Sequence, residues 1–139
     1  MTEFNAQLIG RTEKALNAIL ARQLTDIGIT EPQWVALTLT VTGGGSGVVA
    51  RVSEALRVPE STARSRLAEL GAAGLVRPTA DGGFEATEEG AARWGSVRAA
   101  VGPITRTLWG DLPTEDLAVA GRVLETVLSR ANSVLSAAA

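Results

Sequence analysis

A chain of 139 residues with 13 basic and 15 acidic side chains is one domain's worth of protein at a net charge of -2. Any nucleic-acid surface on it must therefore be local and act against the mean charge. The absence of cysteine, histidine and tyrosine excludes disulfides, thiolate or imidazole metal sites and the commonest general bases, so the chain reads as no enzyme, with no metal and no cofactor.

The opening MTEFNAQLIG carries Glu3 and lacks a basic segment ahead of an apolar core, and no uncharged apolar run reaches the ~18 residues of a membrane span. A cytoplasmic protein with no membrane partner is expected. Residues 4–27 read as a helix, with Phe4, Leu8, Ala15 and Ile19 near one stripe and Ile9, Leu16, Leu20, Leu24 and Ile27 beside it. The stripe is wide for a single helix, which predicts contact beyond its own domain. Gly28 supplies a stop. Thr30-Glu31-Pro32-Gln33 then supplies a start, with Thr30 as N-cap and Gln33 closing a capping box. That start makes Trp34 to Val41 helical, although Val35 to Val41 is strand-prone.

Gly43-Gly44-Gly45-Ser46-Gly47 follows, and Gly45 to Ala50 fits the G-x-G-x-x-A variant of the dinucleotide fingerprint. That fingerprint needs a second strand and an acidic residue about 20 positions on. The count lands near Ser65, the nearest acid is Glu69, and Ala63 to Leu70 is helical by periodicity. A P-loop fails as well, because Val48 and Val49 follow Gly47 where lysine and a hydroxyl are needed. The segment reads as a flexible helix-to-helix connection, whose N–H groups near Gly47 are placed at most for a DNA phosphate.

Val48 to Leu56 forms a short helix, and Pro59 opens another in which Ala63, Leu67 and Leu70 keep helical spacing until Gly71 and Gly74. Leu75 to Thr79 is strand-like, Asp81-Gly82-Gly83 is a turn, and Phe84 to Thr87 returns. Thr87-Glu88-Glu89 caps a long helix running towards Leu108, with a bend expected at Gly102-Pro103. Thr114-Glu115-Asp116 caps a last helix with Leu117, Val123, Leu124, Val127 and Leu128 apolar. The expected fold is mainly α with a small β-wing: a winged helix-turn-helix with N- and C-terminal dimerisation helices. We read residues 1–139 as one domain, with 1–28 and 88–139 for dimerisation and 30–87 for DNA binding.

Three stretches together carry a family resemblance: Ile27 to Leu37, Val49 to Leu70 with Gly74-Leu75-Val76-Arg77, and Thr87 to Gly90 with Leu112 to Leu117. In order and spacing the chain resembles the MarR family of transcriptional regulators over nearly its whole length. The resemblance implies a homodimer whose first, fifth and sixth helices pair, with one recognition helix per subunit in successive major grooves of double-stranded DNA. It also implies a repressor on a pseudo-palindromic operator, released by a small aromatic or anionic effector.

The residues fit that role independently. With Ala63, Leu67 and Leu70 inward, Ser61, Ser65 and Ala68 turn outward and Thr62 and Arg64 flank them. Ser61, Thr62, Arg64 and Ser65 are the candidates for base contacts. From Arg51 to Arg77 five arginines face three glutamates, a local +2, and Arg51, Arg57, Arg66 and Arg77 are the candidates for phosphate. The family's usual mid-helix arginine falls on Ser65, and Arg66 stands where an apolar residue is common, so either the helix is rotated or Arg66 snorkels towards phosphate. Asp81, Glu85, Glu88 and Glu89 make the short wing acidic, which predicts weak wing contacts. Trp34, Trp94 and Trp109 read first as core or interface residues. Trp34 and Trp109 are also candidates to line an effector cavity, and Arg11 is a candidate for an intersubunit ion pair or an anionic effector. The alternative function is a dimeric protein-interaction module on the same scaffold that has lost operator binding.

Overall fold

The computed structural model describes residues 2–138, with side chains to residue 137. The order is α1 (Ala6–Leu24), a 3-10 turn (Thr25–Ile27), α2 (Glu31–Thr42), α3 (Val48–Leu56), α4 (Glu60–Ala72), β1 (Val76–Pro78), β2 (Phe84–Ala86), α5 (Glu88–Trp109) and α6 (Thr114–Ala138). Two compact units, Met1–Gly102 and Pro103–Ala139, divide the chain.

In the first unit, α1 begins later than its apolar stripe suggested. Asn5 is the N-cap, its side-chain oxygen accepting from the Leu8 N–H at 2.8 Å, so Phe4 lies outside the helix and is exposed. Near the other end Gly28 adopts the left-handed conformation (φ 68°) after the last turn tightens to 3-10. Between these ends only Leu24 is buried, while Leu8, Ile9, Ile19 and Leu20 are half-buried and Ala15 and Leu16 exposed. α2 has the expected capping box: the Gln33 N–H donates to Thr30 Oγ1 at 3.3 Å, and the Thr30 N–H donates to Gln33 Oε1 at 2.9 Å. Two satisfied donors and Pro32 in the first turn fix the start, and tertiary burial of Ala36, Leu37 and Thr40 overrides the strand propensity behind it. The buried Thr40 hydroxyl donates to the Ala36 carbonyl at 2.7 Å, which removes its desolvation cost.

The core is built from α2, α3, α4 and β1 around Leu37, Val48, Val52, Leu67 and Leu70, all at 0% exposure. Gly71 lies inside α4, which runs to Ala72; it is Gly74 (φ 79°) that turns the chain into the wing. β1 and β2 pair antiparallel in the register Val76↔Ala86, Arg77↔Glu85, Pro78↔Phe84.

The glycine segment corrects the expectation of a slack connection. Gly45 forms an antiparallel bridge to Phe84, with Gly45 N–H to Phe84 O at 2.8 Å and Phe84 N–H to Gly45 O at 3.3 Å. In an antiparallel ladder alternate residues turn their hydrogen-bonding groups to opposite sides. Thr79 and Gly83 bond across the hairpin at 2.9 Å, so Phe84 turns its own groups away from β1 and towards Gly45. The loop thus adds a one-residue third strand to the wing.

α5 is capped by Thr87, whose Oγ1 accepts from the Gly90 N–H at 3.0 Å while donating to the Gly74 carbonyl at 2.6 Å. Gly90 is obligatory there, because a Cβ would stand 1.9 Å from the Leu75 carbonyl oxygen. The span of α5 includes Pro103, and the boundary between the two units falls at that residue. In the second unit α6 starts one residue earlier than its expected cap: Pro113 O accepts from the Leu117 N–H at 3.1 Å, and Thr114 is the first helical residue. Every side chain of α6 from Thr114 to Ala137 is exposed except Leu117, which is half-buried. Among the described residues no helix is long and apolar enough to cross a membrane.

Candidate nucleic-acid interface

α3 and α4 meet in a tight turn. Arg57 closes α3 in the left-handed conformation (φ 56°, ψ 49°). Ser53 braces the turn, its hydroxyl donating to the Val58 carbonyl at 2.6 Å while its own carbonyl accepts from the Val58 N–H at 3.1 Å. Pro59 precedes α4 without a side-chain cap, and Glu60 in the first turn complements the helix dipole. Ala63, Leu67 and Leu70 anchor the inner face at 0% exposure. That anchoring leaves Ser61, Arg64, Ser65 and Ala68 exposed and Thr62 half-buried, the outward face expected from the spacing. The Ser65 hydroxyl is turned back onto the Ser61 carbonyl at 3.1 Å. Arg64 lies along the wing, with its guanidinium 3.5 Å from the Gly82 carbonyl, a weak contact.

The four arginines expected on phosphate differ in surroundings. Arg51 reaches back across the glycine segment and donates to the Gly44 carbonyl at 2.9 Å. Arg66 is half-buried beside Glu69, at 3.5 Å, and its Nε is buried without a partner. Glu69 in turn accepts from Gln33 Nε2 at 2.9 Å, so Arg66 faces the start of α2. This bridge between α2 and α4 has no local signature in the sequence, because Gln33 reads as a capping residue and Glu69 lies 36 positions away. Arg77 Nε donates to Glu85 Oε1 at 2.7 Å across the wing, both side chains about half exposed. Arg57 projects from the turn itself.

The wing tip is an ordered turn. The Thr79 hydroxyl donates to Asp81, and the Gly83 N–H donates to both Thr79 Oγ1 and Asp81 Oδ1 at 3.2 Å. These donors, the Thr79 hydroxyl first, hold the Asp81 carboxyl below the ordinary aspartate range. Asp81 thus places a carboxylate at the tip of the wing.

The candidate effector residues are distributed over both units. Trp34 stacks on Trp94 with ring centroids 6.4 Å apart and planes 20° from parallel. Trp94 Nε1 donates to Thr38 Oγ1 at 3.1 Å, and the Arg98 guanidinium lies 5.2 Å over the Trp94 ring. Arg98 lies four residues after Trp94 on α5, a local spacing, whereas nothing local couples Trp94 to Trp34. Arg11 is exposed on α1, and Trp109, 40% exposed, belongs to the second unit.

No family model and no curated protein matches the sequence. Solved structures do. The reduced form of MarR from Escherichia coli is similar over 92% of this chain and 96% of its own, with a TM-score of 0.72 at 20% identity. Ligand-free NadR covers 96% and 98%, with a TM-score of 0.79 at 19% identity. The Mycobacterium tuberculosis MarR family protein Rv2887 in complex with p-aminosalicylic acid covers 90% and 98%, with a TM-score of 0.69 at 21% identity. Rv2887 is also known in complex with DNA, a MarR mutant with operator DNA, and NadR with 4-hydroxyphenylacetate. At these identities the likeness establishes architecture: this chain has the winged helix-turn-helix fold of MarR-family proteins.

Proposed function

We propose that the chain is a sequence-specific DNA-binding transcriptional regulator that acts as a homodimer on a pseudo-palindromic operator as a ligand-responsive repressor. The observation that carries this is the outer face of α4, where Ser61, Arg64 and Ser65 stand exposed on a helix whose opposite face is fully buried. Short hydroxyl side chains let the helix approach the groove floor, and Arg64 is long enough for a bidentate contact to guanine. Ser61, Thr62, Arg64 and Ser65 are assigned to bases. Arg57 and Arg77 are assigned to phosphate, Arg77 on release from its pair with Glu85, while Arg51 and Arg66 hold contacts within the chain.

The homodimer is supported by α6. At 100° per residue Val119, Val123, Leu124, Val127, Leu128, Val134 and Leu135 share one half of the helix, and each is at least 39% exposed. Such a face needs a partner, and the half-buried stripe of α1, with Leu16 exposed, extends the same argument. The cytoplasm is the compartment this role requires, and no catalytic, metal or cofactor site is assigned. The effector reading, with Trp34, Trp109 and Arg11 as candidates, is supported by the aromatic acids bound to the structural neighbours and by the Trp34–Trp94–Arg98 stack.

A second reading, an interaction module without operator binding, is favoured by the Arg77–Glu85 pair, which neutralises the wing's one arginine. Selection of random duplexes by the purified chain separates the two. An enriched pseudo-palindrome is expected, and absence of any enriched duplex favours the interaction module.

A further inference from the structure

We propose that Arg51 is a positioning residue for DNA recognition: its guanidinium clamps the glycine segment so that Gly45 can hold the wing beside α4. The inference rests on the DNA-binding reading but concerns what places the reading surfaces, not which of them touch DNA.

Arg51 projects from the first turn of α3 and donates through Nη2 to the Gly44 carbonyl at 2.9 Å. Gly43 and Gly47 flank that guanidinium so closely that a Cβ on either would stand 2.9 Å from one of its nitrogens. Both glycines have negative φ, near -147° and -88°, so backbone strain is not the reason for glycine at either place. They leave room for the arginine. Gly44 and Gly45, at φ 52° and 82°, do need glycine. They carry the chain past the α2 terminus and into the bridge with Phe84. On the wing side Gly83 completes the fit, since a Cβ there would lie 1.9 Å from the Gly45 oxygen. Loop and wing therefore meet backbone to backbone, and the Arg51 side chain ties the loop to the helix-turn-helix by its hydrogen bond to Gly44. The bond is charge-assisted, and a positive group at a carbonyl just past the α2 C-terminus also suits that helix's dipole.

The bond to Gly44 leaves the guanidinium charged but holds it back on the glycine segment instead of against a phosphate. Clamp and phosphate contact thus differ in an observable way: loss of a phosphate contact lowers the salt slope of binding by about 0.9, whereas loss of a clamp weakens binding with the slope intact. Two variants of the full-length chain make the test. Arg51→Gln removes the charge. Gly47→Ala retains it but displaces the guanidinium tip, with no backbone strain and only a flexible side chain to move. Hydrogen exchange at the Gly45 and Phe84 amides reads the latch, and titration with a duplex enriched from a random pool reads binding. Both variants are expected to exchange faster at those two amides and to bind about fivefold more weakly, the effect of one lost hydrogen bond. Both should keep the wild-type salt slope. Unchanged exchange in both variants overturns the clamp. So does a slope reduced by about 0.9 in Arg51→Gln beside wild-type binding in Gly47→Ala, because that pattern belongs to a phosphate contact. Failure of the wild type to enrich any duplex overturns the DNA reading instead, and the exchange measurement still decides the latch.

Discussion

Arg57 occupies a conformation that costs an L-residue free energy, and that cost predicts a separation of stability from binding. Among the described residues it is the one non-glycine with positive φ. An L-residue in the left-handed region loses roughly 1–2 kcal/mol, while glycine enters it freely but gives up roughly 0.5–1 kcal/mol through the entropy of the unfolded chain. Arg57→Gly and Arg57→Ala both remove every interaction of the arginine side chain, so their difference isolates the backbone. The glycine variant should be more stable than the alanine variant by about 0.5–1 kcal/mol, the reverse of their order inside a helix. Urea unfolding at one fixed protein concentration measures this, the fixed concentration removing the contribution of association. On a selected duplex both variants should bind more weakly, with the salt slope reduced by about 0.9 in each. An alanine variant as stable as the glycine variant would refute the strain argument. An unchanged slope in both would refute the phosphate assignment.

The remaining predictions concern the wing and α6. Glu85→Gln should leave stability within about 0.5 kcal/mol of wild type, because the Arg77–Glu85 pair is solvent-screened. It should also tighten DNA binding and steepen the salt slope as Arg77 is released; weaker binding in the titration would contradict this. The Asp81 carboxyl titrates lower folded than unfolded. Its contribution to the wing turn is therefore complete above the ordinary aspartate range and fades as pH falls through that range to the lowered folded value. The Gly83 amide resonance should follow that titration in wild type and lose it in Asp81→Asn. Val127→Glu places a carboxylate in the apolar half of α6. If that half is covered by a second copy, the cost is roughly 3 kcal/mol or more, about a hundredfold in dissociation constant. Sedimentation should show monomers, whereas an unchanged dimer would remove α6 from the interface.

Why some of this architecture was legible in the chain and some was not follows from where each signal resides. The orientation of α4 rests on the spacing of Ala63, Leu67 and Leu70, a local periodicity, and the structure buries those three as expected. The start of α2 rests on Thr30 and Gln33, three residues apart. By contrast, Arg51 meets a backbone carbonyl, which has no side-chain signature. The Gly45–Phe84 bridge is likewise backbone alone, so four glycines in five residues read as slack when they are the condition for close contact. Arg66, Glu69 and Gln33 come together only through the packing of α2 on α4. Asn5 is a local signal of the α1 start, masked in the sequence by an apolar stripe that begins at Phe4.

Parallel duplex selections with the wild type and Arg64→Ala test most directly whether α4 reads bases. The wild type should enrich a pseudo-palindrome with half-sites about one helical turn apart. Arg64→Ala should lose preference at one base position in each half-site, at a cost of about 1–3 kcal/mol, and keep the rest of the motif. An identical motif from both proteins, with affinity lowered evenly across all sequences, would contradict the assignment of Arg64 to a base.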